Sequence, residues 1–236
     1  MTSFDTTHWS VVSALRSDDS VVARQALATL YQRYWDPIYA HVRWWGYDAD
    51  EAQDATQAFF TNLIERNSLG AARPERGLFR MFLQVALKHF LIDADKHRRR
   101  LKRGGGQPLL SLDDDPVDGR PIPDPVDYET PERVFDRQWA QAVFDRAMKR
   151  LESEWIAAGD AAAFELLRGS FQGDPPPGGH REVARTLCIT EDAAKAMAKR
   201  LKHRFQRLLR KEVSATVPTK DAIDAELRHL AQSLRR

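Results

Sequence analysis

The sequence predicts an all-α protein: two small helical domains joined by a flexible linker, the second containing a helix-turn-helix. Three observations lead there. Apolar residues recur at three- and four-residue intervals through most of the 236 residues, and no comparable stretch alternates with the period of a strand. A segment rich in Gly, Asp and Pro, 104–130, breaks that rhythm in mid-chain. Beyond it, a short helical pattern, a tight turn and a capped long helix follow one another from His180 to Val213.

Asp18, Asp19 and Ser20 supply cap chemistry for a first helix that carries Val22, Ala26, Leu30, Tyr34, Ile38 and Val42 on one side. Pro37 has no N–H to donate and should bend or interrupt that helix, and Gly46 should end it. A second helix, from about Asp48 to Arg66, turns Ala52, Ala55, Phe59, Phe60 and Leu63 toward a core. A third begins near Leu78, with Phe79, Phe82, Leu83, Ala86, Leu87, Phe90, Leu91 and Ala94 in its apolar stripe. These helices form a first domain, 1–103.

Gly104–Gly106, Asp113–Asp115 and Pro116, Pro121, Pro123 and Pro125 can neither sustain a helix nor fill a core, so 104–130 is a linker. Helices resume at Thr130-Pro131-Glu132, where Thr130 can cap and Pro131 suits the first turn. Val134, Trp139, Val143, Ala147 and Leu151 make one stripe, and Phe164, Leu167 and Phe171 belong to the next helix. After the loop 173–179 come a short helix, His180–Leu187, and a long one from Glu191 to about Val213, closing a second domain, 131–213. An extension, 214–236, holds a last amphipathic helix with Ile223, Leu227, Leu230 and Leu234 on one side.

The net charge of +2 conceals an uneven distribution. Segments 71–103 and 181–211 each carry +7, the linker carries −6, and residues 1–70 carry −4. A basic block alone is ordinarily a solvated helix face. Two similar blocks on ordered helices point instead to a polyanion touched in two places. No apolar run reaches the roughly 18 residues of a membrane span, and Met1–Ser10 lacks a secretory pattern, so a cytoplasmic location is expected. The single cysteine, Cys188, allows no intrachain disulfide and no thiolate zinc cluster.

Within 181–211, Val183, Ala184 and Leu187 face inward, Cys188-Ile189 make the turn, and Thr190 caps the second helix. Glu191 and Asp192 favour that helix's positive end. Ala194, Ala198, Leu201, Phe205 and Leu208 form its buried face, opposite Lys195, Lys199, Lys202, His203 and Gln206. In such a helix, early exposed residues reach base edges of the major groove and later ones meet phosphates.

Read together, Leu30-Tyr31, Tyr34 and Ile38-Tyr39, then Asp50-Glu51-Ala52-Gln53-Asp54-Ala55-Thr56-Gln57-Ala58-Phe59-Phe60, Phe79–Leu83, Asp93 and Arg98–Arg100 carry a resemblance. So do Glu182-Val183-Ala184 and Thr190–Lys195 in the C-terminal part. Over about residues 8–213 the chain resembles an extracytoplasmic-function sigma factor, the two-domain type that recruits bacterial RNA polymerase to promoters, of a subgroup with a long Gly/Asp/Pro connector. The resemblance implies a transcription initiation factor whose partners are core RNA polymerase and promoter DNA, with an anti-sigma factor or other regulator as a further partner. It implies that Asp50, Asp54 and Gln57, spaced i, i+4 and i+7, dock on the clamp helices of the polymerase's largest subunit. Promoter melting would fall to the loop 67–77 and the helix after it, with Arg80, Lys88, Lys96, Arg98, Arg99 and Arg100 gripping the strand. Phe79 and Phe82 are candidate base-stacking platforms, although their spacing is that of core residues. The upstream element would be contacted by Arg181, Thr190, Lys195, Lys199, Arg200, Lys202, His203, Arg204 and Arg207.

Three positions depart from the family pattern. Cys188 stands where the turn usually has Gly and forbids easy left-handed geometry, Ala194 is smaller than the usual Val or Ile, and the Pro-Pro-Pro-Gly-Gly loop precedes His180. A modestly rotated second helix would pass base reading to Glu191, Asp192 and Ala196.

Catalysis finds little support. The seven histidines form no metal-ligand spacing, Gly104–Gly106 is not a phosphate loop, and Cys188 between Leu187 and Ile189 reads as a small buried thiol. No enzyme activity, metal or cofactor is expected. The alternative to a sigma factor is a stand-alone helix-turn-helix regulator that does not bind polymerase.

Overall fold

The four-residue spacing of Ala26, Leu30, Tyr34, Ile38 and Val42 gathers them into one buried stripe along α1, Ser20–Trp44. The computed structural model describes residues 14, 20–65, 77–102, 129–171, 178–217, 219 and 221–235. The caps expected from Asp18 and Asp19, the loop 67–76, the linker up to 128 and most of the Pro-rich loop before His180 lie outside the described residues. Pro37 does not end α1. A proline inside a helix costs about 3 kcal/mol, but Leu30 and Tyr34 before it and Ile38 and Val42 after it are held in the same core. The helix stops where expected: Gly46 follows it with φ 92°, a conformation that suits a residue without Cβ.

Capping sets the start of α2, Ala49–Glu65. The Asp48 carboxylate accepts from the Glu51 N–H at 2.8 Å, and the Glu51 carboxylate accepts from the Asp48 N–H at 3.3 Å. Ala52, Phe59, Phe60 and Leu63 are buried, as is Thr56, whose hydroxyl donates back to the Ala52 carbonyl at 2.7 Å. In α3, Phe79–Lys102, every fourth residue from Phe79 through Leu83 and Leu87 to Leu91 is fully buried. Phe79 stands edge-on to Tyr34 at 5.5 Å and is a core side chain.

The predicted start of α4, Pro131–Ala157, is borne out: the Thr130 hydroxyl accepts from the Arg133 N–H at 3.3 Å, with Pro131 in the first turn. There follow α5, Ala161–Leu167, a 3-10 turn over Arg168–Phe171, α6, Gly179–Thr186, α7, Glu191–Ser214, and α8, Ala222–Ser233. The fold is all-α, with no strand among the described residues. No helix among them is long and apolar enough to cross a membrane.

Two apolar cores result, and they do not divide where the composition does. The first joins α1, α2 and α3 to Phe135, Trp139, Ala140 and Val143 of α4, to Val213 and Val217, and to Ile223 and Leu230 of α8. The second gathers Ala147 and Leu151 of α4 with Phe164, Leu167, Val183, Ala184, Ala194, Leu201, Phe205 and Leu208. At 27 residues α4 is about 40 Å long, enough for its two halves to serve different cores. The C-terminal helix, which lies beyond the span of the family resemblance, is thereby built into the core of the first three helices. Burying one Ile or Leu contributes about 1.5–3 kcal/mol. Ile223 and Leu230 therefore contribute about 3–6 kcal/mol to holding α8, with Ala222, Leu227 and Leu234 packed partly beside them.

Candidate nucleic-acid interface

The connection from α6 to α7 is a left-handed cap. The Cys188 N–H donates to the Arg185 carbonyl at 3.3 Å, the Ile189 N–H donates to the Ala184 carbonyl at 2.9 Å, and Cys188 has φ 55°. This is the paired-bond geometry that closes a helix through one left-handed residue. Two expectations for Cys188 are thus corrected: the residue does adopt left-handed backbone, and its side chain is exposed rather than buried. The reason is that Ile189, one residue on, packs on the second core and fixes the chain path through Cys188. A left-handed conformation costs a Cβ-bearing residue about 1–2 kcal/mol. Cys188→Gly should therefore raise the stability by about 0.5–1 kcal/mol net of the added chain entropy. A urea midpoint that falls would refute this.

Thr190 then starts α7, its hydroxyl accepting from the Ala193 N–H at 3.2 Å. Ala194, Leu201, Phe205 and Leu208 turn into the second core, as their spacing predicts. The other side of the helix is cationic. Ala196, Lys199, Arg200, His203, Arg204 and Arg207 border a concavity of about 410 Å³ along it. Lys199, Arg200, Lys202, His203 and Arg207 are exposed, and none of them enters an ion pair among the described residues. Arg181, at the start of the supporting helix, is exposed and lies 3.7 Å from Glu191.

Two members of the expected DNA-reading set are already engaged. The Lys195 ammonium lies 2.9 Å from Glu191 and 3.7 Å from Asp192, and its hydrogen bond holds the Glu191 carboxyl below the usual carboxylate range. Arg204 clasps Glu154 of α4 with both Nε and Nη2 at 2.7 Å, which likewise lowers the Glu154 carboxyl. The charge offered freely to solvent is therefore that of Lys199, Arg200, Lys202 and Arg207.

On the first three helices, Asp50, Asp54 and Gln57 are exposed along one side of α2, away from Phe59 and Leu63. Lys88 and Lys96 are exposed on α3. Arg98 is partly withdrawn: it bonds Asp95 at 2.9 Å and lies 5.3 Å over the Tyr47 ring. The side chains of Arg99 and Arg100 lie outside the described residues.

Arg80 is placed otherwise than expected. It is only 6% exposed, so it does not present its charge to solvent or to a bound strand in this arrangement. Its Nε and Nη2 donate to the two carboxylate oxygens of Glu226 at 2.7 and 3.2 Å, and its Nη1 donates to Asp136 at 2.9 Å. Gln84 and His229 also meet Asp136, each at 2.9 Å, and the guanidinium lies 5.4 Å over the Trp139 ring. The cluster ties α3 to α4 and α8. Hydrogen bonding and attraction from the two carboxylates raise the guanidinium's pKa against the opposing effect of burial, so the group stays charged.

Sequence reasoning missed Glu226, Asp136 and His229. One signal was present: Glu226 sits inside the stripe Ile223, Leu227, Leu230, where a carboxylate needs a buried partner. Among the described residues no three His, Cys, Asp or Glu side chains gather as a metal-ligand set. Compared with models of known protein families, with curated proteins and with solved structures, the chain finds no match.

Proposed function

We propose that the chain is a sigma-type transcription initiation factor, which brings core RNA polymerase to promoters and helps to open them. The observation that carries this reading is the α6–α7 pair. Its left-handed turn, its Thr190 cap and the free cationic side of α7 give it the build of a helix-turn-helix whose second helix enters a major groove. The exposed Asp50, Asp54 and Gln57 on α2 offer a separate docking edge, well suited to a protein partner such as the polymerase clamp helices. No chemistry of its own is assigned to the chain, since initiation is catalysed by the polymerase.

The test is run-off transcription with purified core polymerase on a randomised promoter library. Sequence-selective transcripts that depend on the chain are expected. A chain that binds duplex DNA but neither captures core polymerase nor directs transcripts is a stand-alone helix-turn-helix regulator instead.

Within that library, Lys199→Ala should relax the preference at the upstream element, by about 1–3 kcal/mol if its contact is bidentate. Lys195→Ala should do less, because Glu191 and Asp192 already offset its charge. Arg207→Ala should weaken binding about equally on all sequences. An unchanged sequence logo for Lys199→Ala would overturn the assignment of that lysine.

A further inference from the structure

The Arg80 cluster is unusual in its balance. One buried cation faces two carboxylates, Glu226 and Asp136, within a mainly apolar core. A guanidinium held by two parallel bonds from one carboxylate is held as a phosphate would hold it. The helix that delivers Glu226 is lightly fastened. Its buried side chains are Ile223, Glu226 and Leu230, with Ala222 and Leu227 packed partly against the same core, and its 12 residues are too few for a stable helix on their own. On α3, Lys88 lies just over two turns beyond Arg80, about 80° round the helix, and is exposed, so an uncovered Arg80 adds a second cation to that part of α3.

Building on the sigma-type reading, we propose that α8 is an intramolecular latch: Glu226 occupies Arg80 in place of a nucleic-acid phosphate, and the strand gains Arg80 only when α8 lifts away. Asp136 stays behind on α4, where Gln84 of α3 continues to donate to it, while its contact with His229 leaves with α8. Lifting α8 also uncovers Ile223 and Leu230, so the closed form is the resting form.

Two measurements on the full chain test this. Native-state hydrogen exchange should show α8 amides exchanging through an opening that leaves α1 and α4 protected. Exchange of α8 only together with α1 and α4 would overturn the latch. In fluorescence titrations with a labelled single-stranded oligonucleotide, Glu226→Gln should bind several-fold more tightly than the native chain. Its log affinity should fall more steeply with log salt, by about 0.7 for one added phosphate contact. Asp221→Asn, which makes the same charge change at an exposed site of the extension, should leave that slope alone.

Adding Arg80→Met to Glu226→Gln should abolish the gain. A Glu226→Gln chain with native affinity and slope, or a gain that survives Arg80→Met, overturns the latch while leaving duplex binding by α7 as the separate test of the sigma-type reading. Should Glu226→Gln fail to fold, the exchange measurement on the native chain still decides. Should no form bind duplex or single strand, both readings fall.

Discussion

Replacing Arg80 by methionine should cost about 3–5 kcal/mol of stability, the largest single-site loss expected outside the apolar core. The substitution removes little volume. What it leaves is the Glu226 carboxylate, 2% exposed, without its guanidinium, and Asp136 with only Gln84 and His229 to meet it. Uncompensated buried charge, rather than lost attraction, sets the size of the effect. A second substitution, Glu226→Leu, should therefore recover much of the loss, because Leu at that position continues the stripe of Ile223, Leu227 and Leu230. Urea unfolding of the native chain, both single variants and the double variant closes the cycle. If the double variant is as unstable as the sum of the singles, the two residues do not act as a pair.

Acidification should weaken the fold by roughly 3 kcal/mol between pH 6.5 and 4, through one residue of α1, His41. Its ring is 1% exposed, lies 6.1 Å from the Trp45 ring in a stacked arrangement and stands edge-on to Phe135 of α4. Neither nitrogen has a hydrogen-bond partner among the described residues. Burial pulls its pKa down from 6.5 to about 4, against an opposing pull from the Glu132 carboxylate. Above pH 6.5 the imidazole is neutral in both folded and unfolded chains and has no effect on the balance. Below 6.5 the unfolded chain takes up a proton that the folded chain refuses, so stability falls until about pH 4 and then levels. His41→Leu should flatten that window, with little loss at pH 7 because no buried nitrogen remains unsatisfied. An equal slope for His41→Leu and the native chain would show that other groups carry the acid sensitivity.

Much of the fold was legible beforehand where its causes are local. The Thr130 and Thr190 caps, the end of α1 at Gly46 and the apolar stripes of α3 and α7 all stand within a residue or two of expectation. Each depends on hydrogen bonds or side-chain spacing within one or two turns. The cationic side of α7 was legible for the same reason, since 3.6 residues per turn place Lys199, His203 and Gln206 opposite Leu201, Phe205 and Leu208. Pro37 shows where local rules give way. The backbone bond it removes is a local loss, while the packing that carries α1 past it comes from other helices.

Alone, then, the sequence determined that the chain is helical, where its helices begin and which side of each is apolar. Only the tertiary structure decided which charges are free. Arg80 has its partner 146 residues away, on a helix whose spacing reads simply as amphipathic. Arg204 has its partner 50 residues away on α4. The left-handed Cys188 likewise follows from Ile189 being drawn into a core assembled from other helices. The physical reason is range: hydrogen bonds and helical periodicity are fixed by near neighbours in the chain. The fate of a charge depends on what meets it, and that is known only once distant helices have packed together.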